Sequence, residues 1–189
     1  MHKRVILIII VAVVAAIAGA VLLATLGSSR SSTSFNPANA TYTLYGDTFT
    51  LTNGQVQIMG HSGMTGKDGK PDTTMLPMGY TLATSSAGDI AGTGKPGKAV
   101  VLYRVFGANL QWLALFGFEQ NGANFSQTAS STIYIQDAAV QSMSIQNGIV
   151  TVNLLVVSPA DQNLPHYEQI PTQPLALRFK IQGDQLVAQ

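Results

Sequence analysis

The chain opens with an unbroken apolar run, VILIIIVAVVAAIAGAVLLATL at residues 5–26, and beyond residue 40 changes to short segments in which apolar and polar side chains alternate. The first pattern predicts a membrane-spanning helix. At about 1.5 Å per residue the run reaches about 33 Å, enough for a hydrocarbon core of about 30 Å. Val5, Ile9, Val13, Ile17, Leu22 and Leu26 would anchor it in lipid, while Ala16 and Gly19 lie in a small-residue patch that permits close helix packing. Lys3 and Arg4 precede the run, so the positive-inside rule keeps residues 1–4 cytoplasmic, makes 5–27 a transmembrane signal anchor and carries the rest across the membrane. The alternative is a cleaved signal peptide and a secreted domain, because AIA at 16–18 and AGA at 18–20 both fit a small-x-small cleavage pattern. Cleavage there would expose Val21, Leu22 and Leu23 at the new N-terminus, which favours the anchor.

The segment SSRSSTS at 28–34 cannot bury anything and reads as the core of a flexible linker, 28–36, ahead of an extracytoplasmic β-domain, 37–189. In that domain TYTLY at 41–45 and TFTLT at 48–52 have the period of half-buried strands. Gly46-Asp47 and Asn53-Gly54 separate them from their neighbours, and Asn-Gly favours the type I′ turn of a two-residue hairpin. Residues 60–75 lack periodicity and predict a long loop, followed by a strand at 79–84. Two strong runs, 98–106 and 110–118, are rich in β-branched and aromatic residues, and a further section begins at 133–135. The clearest hairpin joins 140–146 to 149–157 through Asn147-Gly148; a loop at 158–174 then leads to 175–181, which pairs with 186–187 through Gly183-Asp184. No amphipathic helix follows the anchor. The pattern predicts an all-β domain, an antiparallel β-sandwich or roll.

Composition narrows the chemistry. The 189 residues include no cysteine, which removes disulfides, thiol nucleophiles, cysteine-bound metals and an acylated lipoprotein N-terminus. Ten Lys and Arg face nine Asp and Glu, and with Lys3 and Arg4 set aside the remainder is close to neutral. Neither a nucleic-acid footprint nor strong attraction to anionic lipid is expected.

Four constellations could carry function. GTGKPGKA at 92–99 satisfies G-x-G-x-x-G, but a strand rather than a helix follows it and Ala99 stands where a phosphate loop has Ser or Thr, so no nucleotide is expected. GHSGM at 60–64 resembles a serine nucleophile elbow without its last glycine or its strand-turn-helix setting. His61, Asp72, His166 and Glu168 lie on the two long loops and are the candidates for a loop-borne hydrolase site. Tyr103, Phe106, Trp112, Phe116 and Phe118 form either a core or an aromatic binding face, and their place in the strongest strand runs favours the core.

GDIAGTGKPGKAVVL at 88–102 has the layout GDxDGDGxxDxxVLL, an acidic loop feeding a buried strand, and is similar to the cation loop of FG-GAP-type repeats. With the aromatic strand, the SIQNG hairpin, the proline loop and the GDQLV ending, residues 37–188 resemble a family of uncharacterised bacterial envelope proteins, anchored or lipidated. The resemblance would imply calcium in the loop, yet calcium takes about six to eight oxygen ligands and this chain keeps only Asp89. Ala91, Thr93 and Gly97 occupy acidic places of the pattern. The loop is therefore expected to survive as a glycine-set turn without tight calcium, with Asp68 and Asp72 in GKDGKPD as a second weak cation candidate. No cofactor is expected. The sequence reads as a single-pass membrane protein whose β-domain binds, scaffolds or assembles at the cell envelope, with a protein or glycan partner and no catalysis. Two alternatives stand beside it: a subunit of a membrane complex or filament held through its helix, and an envelope hydrolase.

Overall fold

The computed structural model describes residues 34–107, 110–165 and 168–189. Val5, Ile9, Val13, Ala16, Ile17, Gly19, Leu22 and Leu26 lie outside the described residues, among which no helix is long and apolar enough to cross a membrane. From Phe35 the chain forms one compact unit, Phe35–Gln189. It begins with a single 3-10 turn, Pro37–Asn39, started by Asn36, whose side-chain oxygen accepts the Ala38 N–H at 3.0 Å.

The expectation of an all-β domain is met. Strands β1 (Thr41–Leu44) and β2 (Asp47–Thr50) form a separate hairpin. The others are β3 (Gln55–His61), β4 (Met75–Gly88), β5 (Gly97–Phe106), β6 (Leu110–Asn121), β7 (Asn124–Ile133), β8 (Ala139–Gln146), β9 (Ile149–Val157), β10 (Pro171–Gln182) and β11 (Gln185–Ala188). They make one sheet in the order β3-β4-β5-β6-β7-β11-β10-β9-β8. Pairing is antiparallel except between β7 and β11, where Gln185 sits opposite Ser130 and the Ser130 N–H donates to the Asp184 carbonyl at 3.0 Å.

Burial explains this order. Ala99 and Val101 of β5 and Leu113 and Leu115 of β6 pack against Val150, Val152 and Leu154 of β9, Phe179 of β10 and Leu186 of β11. The opposite faces of the same two strands carry Val100, Leu102, Phe116 and Phe118, which meet Tyr42 and Leu44 of β1, Phe49 of β2 and Tyr80 of β4. The β1–β2 hairpin, the β3–β7 half of the sheet and the β8–β11 half thus enclose two cores, with β5 and β6 shared between them. Strands covered on both faces read as continuous apolar runs rather than alternating ones, which is why AVVLYRVF and WLALFGF stand out in the sequence.

Several boundaries differ from the expectation. The first turn lies at Tyr45-Gly46, one residue earlier than Gly46-Asp47, and both residues have left-handed φ (54° and 86°) as a type I′ turn needs. Asn53-Gly54 and Asn147-Gly148 adopt the same handedness at the expected places. Strand β4 has 14 residues, far more than the six expected, because a register shift between Leu82 and Thr84 redirects its side chains from one core to the other. Strand β7 occupies the polar stretch ahead of the section expected to begin at 133–135, and Ile133 closes it rather than opening a new section. Strand β10 begins at Pro171, inside the expected loop; its first half has β9 on one side only, which tolerates Pro171 and Pro174.

Candidate functional site

Along β5 the residues Val100, Leu102, Arg104 and Phe106 alternate onto the face beneath the hairpin, so the period of the strand drives an arginine into an aromatic core. Arg104 is 0% exposed. Taking its charge out of water is costly unless hydrogen bonds replace the lost solvation. Nη2 donates to the His61 carbonyl at 2.7 Å and to the Ser62 carbonyl at 2.8 Å, and Nε donates to the Tyr80 hydroxyl at 3.3 Å. The rings of Tyr45 and Phe106 lie 5.3 Å and 5.4 Å from its Cζ, close enough for a cation–π contribution. Nη1 has no hydrogen-bond partner. Burial raises the Tyr80 pKa, and the charge of Arg104 works against that shift.

Arg104 thereby holds the end of β3 where His61 meets Asp47 of β2. The Asp47 carboxylate accepts the His61 backbone N–H at 2.6 Å through Oδ2 and the ring Nδ1–H at 2.8 Å through Oδ1. A carboxylate only accepts, so the proton is assigned to Nδ1 and Nε2 becomes the acceptor of the neutral ring. Gly60 makes room for this grip, since a Cβ there would stand 2.9 Å from Asp47 Oδ2. His61 and Asp72 line one cavity of about 410 Å³ together with Tyr45 and Met64. The Thr74 hydroxyl first, then its amide, holds the Asp72 carboxyl below the usual range, with smaller help from the Ser62 hydroxyl and His61. Ser62 is buried, and its Oγ also accepts the Met64 N–H at 3.1 Å.

Tyr45 joins this cluster to the outer surface. Its hydroxyl donates to Thr132 Oγ1 at 2.9 Å and shares a 2.6 Å bond with the Tyr134 hydroxyl, while its ring covers Gly63, where a Cβ would come within 2.1 Å. Tyr134 packs edge-on against Trp112 at 4.8 Å, and Trp112 packs against Phe106 at 4.6 Å. Burial, followed by the bond to Tyr45, pushes the Tyr134 pKa up to about 12. Beside the two tyrosines a groove of about 540 Å³ runs between the β1 turn and β7, lined by Thr43, Gln127, Ser130, Thr132, Gln185 and Tyr134 among others. Gln127 acts there as a substitute strand: its Nε2 donates to the Thr43 carbonyl at 2.7 Å and its Oε1 accepts the Thr43 N–H at 2.8 Å.

Of the loop candidates, the structure brings His61 and Asp72 together and places Glu168 elsewhere, exposed after β9 with its N–H donating to the Pro165 carbonyl at 2.8 Å. His166 lies outside the described residues. Each acidic-loop candidate ties its own turn. Asp89 accepts the Thr93 N–H at 2.9 Å and the Gly94 N–H at 2.6 Å, and these amides, Gly94 foremost, keep its pKa low. Asp68 accepts the Lys70 N–H at 3.2 Å and Asp72 the Thr74 N–H at 2.9 Å. Among the described residues no group of three or more His, Asp or Glu side chains is placed to hold a metal ion. Phe106, Phe116 and Phe118 are buried in the second core, with Trp112 half-buried beside them, and Tyr103 packs on the first. Sequence reasoning missed Tyr45, Asp47, Arg104 and Tyr134. Arg104 alone left a signal, a charge inside the apolar run AVVLYRVF. Comparison with protein-family models, with curated proteins and with solved structures found no match to this chain.

Proposed function

We propose that this chain is a membrane-anchored extracytoplasmic β-domain that presents a binding or scaffold surface at the cell envelope and carries out no catalysis. The observation that supports it most directly is the polar groove along β7, rimmed by the exposed Tyr45 and Tyr134. Phe35, the first residue of the domain, packs on Phe118 at 4.6 Å and Phe125 at 5.3 Å, beside Lys98. The tyrosine cluster gathers at the other end of the same strands, around Arg104, and six residues of extended β5 span about 20 Å. The groove runs between these two ends, from Gln127, which pairs opposite Phe118, to Tyr134. Membrane fractionation with protease shaving tests this in cells making the full chain. The protein is expected to resist alkaline extraction and to lose its β-domain to external protease. A soluble or protease-protected β-domain overturns the reading.

One observation favours a second reading, a hydrolase: His61 is oriented by Asp47 on a cavity it shares with Asp72. Hydrolytic turnover of an envelope polymer that disappears in His61→Gln, with folding intact, would establish that reading in place of the first.

A further inference from the structure

We infer that the groove between the β1 turn and β7 is a binding site for a neutral, polyhydroxylated saccharide chain. This deepens the display reading above and rests on it for its location at the envelope. The class of ligand follows from what the groove offers. Of the residues lining it Asp184 alone carries a charge, so an anionic ligand finds no cation there and a polycation finds one exposed carboxylate. The lining is dominated by Ser, Thr and Gln, which would be left unpaired under an apolar ligand at a cost of about 1–3 kcal/mol for each buried group. A sugar hydroxyl both donates and accepts, and so do the hydroxyl and amide groups facing it. Ser130 and Gln185 remain available for this, since among the described residues no neighbouring group engages their side chains. The volume, about 540 Å³, falls within the range of ligand sites, about 300–1,000 Å³.

The second, independent observation is the pair of tyrosines at the rim. Tyr45 is 40% and Tyr134 55% exposed. Aromatic rings held rigidly in solvent present negative faces that suit the C–H faces of a pyranose. Tyr45 achieves its position at φ +54°, a left-handed conformation that is uncommon for a bulky residue. Three contacts fix it there: the bond to Thr132, the bond to Tyr134 and the seat on Gly63. Strained residues that their surroundings over-determine cluster at binding sites. A turn made only to close the hairpin would be served better by Asn-Gly, as at Asn53-Gly54 and Asn147-Gly148.

Trp112 supplies the readout. It is the chain's single tryptophan and touches Tyr134, so a sugar stacking on Tyr134 alters its emission. The full-length protein in detergent micelles is titrated with chitohexaose and with maltohexaose, which separate an N-acetylated envelope-type chain from a plain glucan, and with polygalacturonate as the anionic control. Calorimetry runs in parallel. Saturable binding of a neutral hexasaccharide is expected, about tenfold weaker in Tyr134→Ala and nearly unchanged in Tyr134→Phe. Gln185→Ala, at an exposed position, is expected to weaken it about threefold or more. No saturable response to either neutral chain up to about 10 mM, a response to the polyanion alone, or binding undiminished in both Tyr134→Ala and Gln185→Ala overturns the inference. A chain that stays membrane-bound and outward-facing yet binds neither sugar refutes the groove assignment alone. A chain found in the cytoplasm refutes the display reading whatever the titration gives.

Discussion

Arg104 shows how one side chain can tie a local fold together. Its guanidinium supplies the donors for the His61 and Ser62 carbonyls, which no other side chain among the described residues serves, and lies beneath the Tyr45 ring. Arg104→Met is therefore expected to leave buried carbonyls unpaired and to cost about 2–4 kcal/mol, read as a fall in the urea midpoint. Arg104→Lys should recover little, because one ammonium cannot reach two carbonyls and the Tyr80 hydroxyl with the same geometry. Tyr134 gives a pH test. An ordinary tyrosine ionises near 10.0, whereas Tyr134 in the fold keeps its proton to about 12. Between these values the unfolded chain binds fewer protons than the folded one, so stability falls as pH rises through that window. Tyr134→Phe should flatten the decline in alkaline melting curves. Tyr42 and Tyr80, whose pKa values burial also raises, keep it from disappearing.

At the scale of elements, the turn after β8 is held against the loop that precedes β5. A Cβ on Gly148 would lie 2.9 Å from Gly92 N and 3.1 Å from its Cα, and Gly148 has φ +74°. Backbone cannot step aside as a flexible side chain can. Gly148→Ala is expected to destabilise by about 2 kcal/mol or more, and hydrogen exchange should show the loss first in 89–96 and the Asn147 turn. Asp89→Ala should loosen that loop too and abolish its stiffening above the carboxylate pKa. Asp89 has a depressed folded pKa, so its contribution is present at neutral pH and is lost as pH falls through that lower value. These elements also show what the sequence made legible. Asn53-Gly54 and Asn147-Gly148 were readable because both residues take the left-handed φ that the turn demands, and β5 and β6 because two-sided burial leaves an apolar run. Strand β7 was hidden for the opposite reason: one of its faces lines a polar groove, so Ser and Thr outnumber its apolar residues, and the register shift between Gly117 and Phe118 breaks their spacing. Its parallel neighbour β11 is more than fifty residues away, a pairing that local pattern cannot express. The candidate site was hardly legible, since His61 could be found as a loop histidine but its partner Asp47 reads as a turn residue.

For the whole molecule, the sharing of β5 and β6 between two cores decides how it unfolds. Phe116 and Leu115 are neighbours that face opposite cores. Phe116→Ala is expected to cost about 3–5 kcal/mol and Leu115→Ala about 2–5 kcal/mol. Each should lower one common transition in calorimetry rather than split it, because neither core survives without the strand between them. The hairpin adds a mechanical consequence. Strand β1 leads from the Phe35 end directly to Tyr45 at the groove. A pull between the N-terminus and strand β7 would be carried lengthwise by four residues, Thr41–Leu44. Their bonds to β2 and to Gln127 lie across that line and must fail together in shear, not one at a time as in unzipping. A short strand so loaded makes the domain a stiff coupling, able to pass tension from one end to the other before either core yields.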